Sequence, residues 1–112
     1  EVLESRPGFC KLQMTAREEM ANGVGIIHGS ITFALADSAI AFASNAHGRH
    51  ALSLNISIRH LSSVHVGDVI TAEATVTKLK HRVANVDAII HNQDGIRVAD
   101  VQSTGYRKKE EW

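Results

Sequence analysis

Cysteine, net charge and long apolar runs are what this sequence lacks. The single cysteine, Cys10, rules out an intrachain disulfide, so the fold must be held by its core. Twelve Lys+Arg balance twelve Asp+Glu, and that neutrality, with no basic-aromatic stripe, speaks against nucleic acid and against an anionic membrane as partners. No apolar run reaches spanning length. Phosphate loops and dinucleotide fingerprints are missing too. The chain starts at Glu1 rather than Met, as a trimmed chain does, and carries no secretory pattern. The expectation is a soluble, cytoplasmic protein. Its 112 residues suit one domain with a real core but little surface for a deep private pocket, which favours oligomerisation.

Residues 1–8 are polar and end in Pro7-Gly8, and they read, like 107–112, as a frayed terminus. Phe9 to Met14 alternates Cys10, Leu12 and Met14 with Lys11 and Gln13, a half-buried strand. From Ser30 to Ala46 the composition turns to Ala, Ile, Leu and Phe over a helix's length. Ile31, Leu35, Ala39, Phe42 and Ala46 mark one stripe, and Phe33, Ala36, Ile40 and Ala43 fill much of the rest, so this helix should be buried on most sides. Period-two alternation follows over Leu52–Ile58, Ile70–Val76 and Val83–His91, with turns at Gly67-Asp68 and Asn92-Gln93-Asp94-Gly95 before a last strand to Tyr106. A strand, a long helix and four strands joined by turns make an α+β domain spanning 1–112.

Asp37 is the one ionisable side chain in the helix. A carboxylate among apolar neighbours costs several kcal/mol unless paired, solvated or protonated, so it is either a hydrogen-bonded edge residue or a general base or nucleophile in a pocket. His28 and Gly29 open the helix, where free N–H groups favour an anion or a polarised carbonyl oxygen, and Gly29 lacks a Cβ to obstruct it. His28 and Asp37 stand nine positions apart, about 13 Å and half a turn of phase on a helix. If both act in catalysis, they meet most simply across a two-fold dimer. His47 and His50 flank Gly48 without a carboxylate or cysteine set to complete a metal site, and no metal is expected.

Asn22-Gly23, His28-Gly29 and Leu35-Ala36-Asp37-Ser38-Ala39, at these spacings and with the Gly67-Asp68 turn ahead of a long strand, resemble the hotdog-fold acyl-CoA thioesterases of the PaaI-like, phenylacetic-acid-degradation branch. The resemblance runs from Gly8 to about Tyr106. It implies a long helix wrapped by a curved antiparallel sheet, a homodimer with its active site across the interface, and a homotetramer. It also implies that Asp37 activates water or attacks the thioester, that the Gly29 amide polarises the carbonyl, that His28 and Asn22 orient the reactants and that Ser53 positions water. The implied substrate is an aromatic or medium-length acyl-CoA, with no cofactor beyond the CoA of the substrate itself. Arg49, Arg59, His60, Lys78, Lys80 and Arg82 are candidates for the CoA phosphates. Two departures stand out: Ser30 replaces a usual second glycine, and Ser62-Ser63 replaces an Arg-Pro pair. A hotdog hydratase or dehydratase, and a non-catalytic acyl-CoA-binding module, are the competing readings. The hydratase is the weaker, because its proton exchange is at the α and β carbons whereas His28 sits at the oxyanion end.

Overall fold

The structure, a computed structural model, describes residues 1–21, 25–45, 51–80 and 83–107, the side chains of 44, 45, 51–54, 79, 80, 106 and 107 excepted. One helix, α1 (Gly29–Asn45), lies against a six-stranded sheet built from β1 (Val2–Arg6), β2 (Phe9–Thr15), β3 (Ala51–His60), β4 (Val69–Lys80), β5 (Val83–His91) and β6 (Arg97–Arg107). All neighbouring strands are antiparallel, in the order β1-β2-β4-β5-β6-β3.

Two elements differ from the sequence expectation. Residues Val2–Arg6 are not frayed: they pair with β2 as a hairpin through Pro7-Gly8, with Gly8 at φ 81°. All five are exposed, so no buried alternation marks them as a strand. β3 and β4 follow each other in sequence but are not neighbours. The connection over 61–68 carries the chain from one end of the sheet to its middle, leaving β3 as an edge strand paired, among the described residues, only with β6.

The core lies between the sheet and the helix. Alternate residues of the strands, among them Cys10, Leu12, Ile70, Ala72, Val86, Ile90, Val98 and Val101, meet Leu35, Ala36, Ala39, Ile40 and Ala43 of α1. Each fully buried Ile or Val there contributes about 1.5–3 kcal/mol. Burial pushes the Cys10 thiol above its ordinary value, as expected for a small hydrophobe in the core. Small residues on the strands let the helix lie close. Two bulges, between Ser53 and Asn55 in β3 and between Val76 and Lys78 in β4, sit on the same cross-strand row as Asn85 and Thr104. An extra residue on one strand bends and twists it, so this row curls the sheet around α1.

The buried stripe of α1 is Thr32, Leu35, Ala36, Ala39, Ile40 and Ala43, rotated from the one expected. Ser30, Ala34, Asp37, Ser38, Ala41 and Phe42 are exposed, Phe42 at 51%. The helix is therefore two-faced in the single chain, and Ala46 lies outside the described residues. Among the described residues no helix is long and apolar enough to cross a membrane.

The 61–68 connection is braced by Asp68. Its carboxylate accepts the His65 N–H at 2.9 Å and the Gln93 amide at 3.0 Å, while Gln93 accepts the Val69 N–H at 3.0 Å. These bonds hold the Asp68 carboxyl below its ordinary pKa, the His65 backbone bond first and the Gln93 bond second. A carboxylate depressed in the folded state contributes stability above its unfolded pKa, and that contribution is lost as pH falls through the folded value. Asp68→Ala is expected to cost about 1–2 kcal/mol at neutral pH. The gap between wild type and variant should close as pH drops below the unfolded value of 3.8, which urea melts at a series of pH values will measure.

Candidate functional site

The start of α1 is fixed by its backbone before any side chain is considered. Ile27 N–H donates to the Val64 carbonyl at 2.8 Å, His28 N–H donates to the Met20 carbonyl at 3.3 Å, and Ile31 N–H returns to the His28 carbonyl at 3.0 Å. Short bridges join Ala21 to Ile27 and Ile26 to His65. The first turn of the helix is thus pinned between the 3-10 turn Glu18–Met20 and the 61–68 connection, with the first amides left without intrahelical partners.

Gly29 does not take a left-handed backbone, so conformation does not demand glycine there. Space does. A Cβ built on Gly29 would lie 3.1 Å from Cε1 and 3.2 Å from Nε2 of His60, the last residue of β3. The ring rests directly on the first helical residue. Gly29, Thr32, His60, Ser62, Ser63 and Val64 are among the residues lining a cavity of ≈ 340 Å³ at this point. Ser62 and Ser63, where the resemblance leads one to expect Arg-Pro, therefore border the same space.

Asp37 stands eight residues after Gly29 along the helix, about 12 Å by helical rise. It is exposed, and among the described residues it has no hydrogen-bond or ion-pair partner. The burial expected from its apolar neighbours is not what one chain supplies. Ala34, Ser38 and Ala41 beside it are too small to cover it. Within one chain the carboxylate and the helix start stand well apart.

The remaining candidates scatter. Arg59 adjoins His60 in sequence and so faces the other side of the sheet, where its guanidinium bonds Asp100 at 2.8 Å, with Arg97 3.3 Å from the same carboxylate. Lys78 borders a shallow outer groove with Arg6 and Phe9. Ser53 lies in β3, in register with Gly105 immediately before the bulge. Asn22, Arg49 and Arg82, the His47/His50 pair and the side chain of Lys80 lie outside the described residues. Of the proposed CoA-phosphate cations with described side chains, only His60 is brought to the helix start. Its strand face, though not its contact with Gly29, was legible by parity: residues 56, 58 and 60 share one face, and Ile56 and Ile58 pack against the core.

The family model of the thioesterase superfamily matches residues 24–99. The acyl-coenzyme A thioesterase PaaI of Escherichia coli is 32% identical over 96% of this chain and 76% of that protein. The structure of the E. coli PaaI protein from the phenylacetic acid degradation operon superposes with a TM-score of 0.95 at 31% identity, covering 99% of this chain and 80% of that one. A hypothetical thioesterase protein with coenzyme A from Streptococcus pneumoniae shares the fold, with a TM-score of 0.94 at 22% identity over 100% of this chain and 90% of that one.

Proposed function

Because the chain belongs to the thioesterase superfamily and has its hotdog fold, we propose that it hydrolyses acyl-CoA thioesters at a site shared by two subunits. The observation that carries this is the separation of the half-sites. One chain holds a helix start beside a cavity and an exposed carboxylate, Asp37, without a partner among the described residues. The free side of β3, ten residues long, gives a second copy a place to pair about a two-fold axis. Antiparallel pairing of two β3 strands brings the helix start of one subunit toward Asp37 of the other.

In that arrangement the Gly29 N–H donates to the thioester carbonyl oxygen, and this bond strengthens as negative charge develops there. Asp37 of the partner subunit takes a proton from water as the oxygen attacks the carbonyl carbon. The tetrahedral intermediate then collapses, the C–S bond breaks and CoA leaves as thiolate. The nucleophilic alternative forms an acyl–Asp37 anhydride that water hydrolyses. Water that attacks the Asp37 carbonyl of this anhydride leaves solvent oxygen-18 in Asp37 after a single turnover, which the general-base route does not. His28 and Asn22 orient the thioester or the water, and Ser53 positions the water. The exposed apolar side chains near Asp37, Ala34, Ala41 and Phe42, supply a wall for an aromatic or medium-length acyl group, and pairs of dimers complete a tetramer.

Release of free CoA thiol from a panel of aryl- and alkyl-CoA esters tests the reading. Aryl and medium-chain esters should give the highest kcat/KM. Absence of thiol release from every ester would remove the proposal.

A further inference from the structure

We propose that His60 is a second hydrogen-bond donor to the thioester carbonyl, acting beside the Gly29 amide. This rests on the thioesterase reading above and deepens it. Gly29 has an ordinary helical backbone, yet glycine is a poor helix former, and any larger residue would press on the His60 ring. The glycine thus leaves room for two things at once, a carbonyl oxygen at its own N–H and an imidazole against its Cα. The ring edge that comes nearest is Cε1–Nε2, with Nδ1 further away at 3.7 Å from the same point. An imidazole offers at least one N–H in either protonation state, so a donor is always present.

Three features favour the carbonyl over a CoA phosphate as the target. The ring lies at the first helical residue, where the acyl carbon must sit if Gly29 is to polarise it. Among the described residues its cavity is lined by Gly29, Thr32 and the two serines Ser62 and Ser63, without a lysine or arginine to share a phosphate. The nearest arginine in sequence, Arg59, is on the opposite face and bonded to Asp100. The end of β3 is held in place as well, since Leu61 N–H donates to the Val98 carbonyl at 2.7 Å and Ser62 N–H to the same oxygen at 3.2 Å. A donor held this way needs little reorganisation when charge develops.

The test compares His60→Phe, which keeps a flat ring without a donor, with His60→Gln, which keeps a donor without the ring. Steady-state kinetics with the preferred ester and calorimetric binding of CoA itself are measured on both. His60→Phe should lower kcat by about 100-fold, the loss typical of one oxyanion donor, with KM changed by less than about threefold and CoA affinity unchanged. His60→Gln should recover at least about tenfold of that loss. Wild-type kcat in His60→Phe would overturn the proposal and leave the ring as a wall only. So would a Gln variant no better than Phe, or a loss confined to KM and CoA binding, the signature of a phosphate contact. Both variants are read beside Asp37→Asn: loss there with none in His60→Phe rejects the second donor alone, whereas a wild type inactive on every ester rejects the thioesterase reading and this inference with it.

Discussion

Asp37→Ala is expected to lower kcat for acyl-CoA hydrolysis by about a thousandfold, within the range that removal of a general base produces, while leaving the fold at least as stable as before. The two halves of that result come from different facts. Asp37 is exposed and has no partner among the described residues, so truncation breaks no described contact. Alanine is also the better helix former by up to about 0.7 kcal/mol. Asp37→Asn should fall nearly as far, since an amide is neither a base nor a nucleophile. Thermal melts run beside the kinetics separate this from unfolding. Full activity in either variant would end the mechanism.

Gly29→Val should reduce kcat/KM by about a hundredfold, the order expected when an oxyanion donor is lost. The Cβ alone would sit 3.1 Å from Cε1 of His60, closer than van der Waals contact, and the branched methyls would cover the amide. His60 is exposed, so displacing its ring on substitution opens no core, and the backbone at Gly29 is one valine can adopt, so the protein should still fold. Gly29→Ala should give an intermediate loss. Circular dichroism and size-exclusion chromatography check that the variants keep wild-type structure and assembly.

How much of this was legible in the sequence depended on whether the signal was local. The helix expected from Ser30 is α1 from Gly29, and the alternating runs after it are β3, β4 and β5. The hairpin at Asn92–Gly95 is built as its residues demand: Asn92 Oδ1 accepts the N–H groups of Asp94 and Ile96 at 2.9 and 3.0 Å, and Gly95 takes φ 78°. Non-local facts were not legible. Chain order suggested that β3 adjoins β4, whereas the crossover over 61–68 sends β3 to the edge. β1 carries no buried residue and so no periodic signal. Asp37 read as buried because its neighbours are apolar, but alanines and serines are too short to close over it, and its exposure follows from their size. Spacing set His28 and Asp37 about half a turn of phase apart on the helix. It gave no hint that the end of β3 lays an imidazole on Gly29.

The claim that the site is shared between subunits is tested most directly by mixing inactive Asp37→Ala with inactive Gly29→Val under conditions that exchange subunits. Each mixed dimer then has one site built from an intact helix start and an intact carboxylate, and one site defective in both. With equal amounts and random pairing, about one quarter of all sites are restored, so activity should rise to about a quarter of wild type. Exchange demonstrated by native mass spectrometry with activity no higher than that of the parent variants would contradict the shared site.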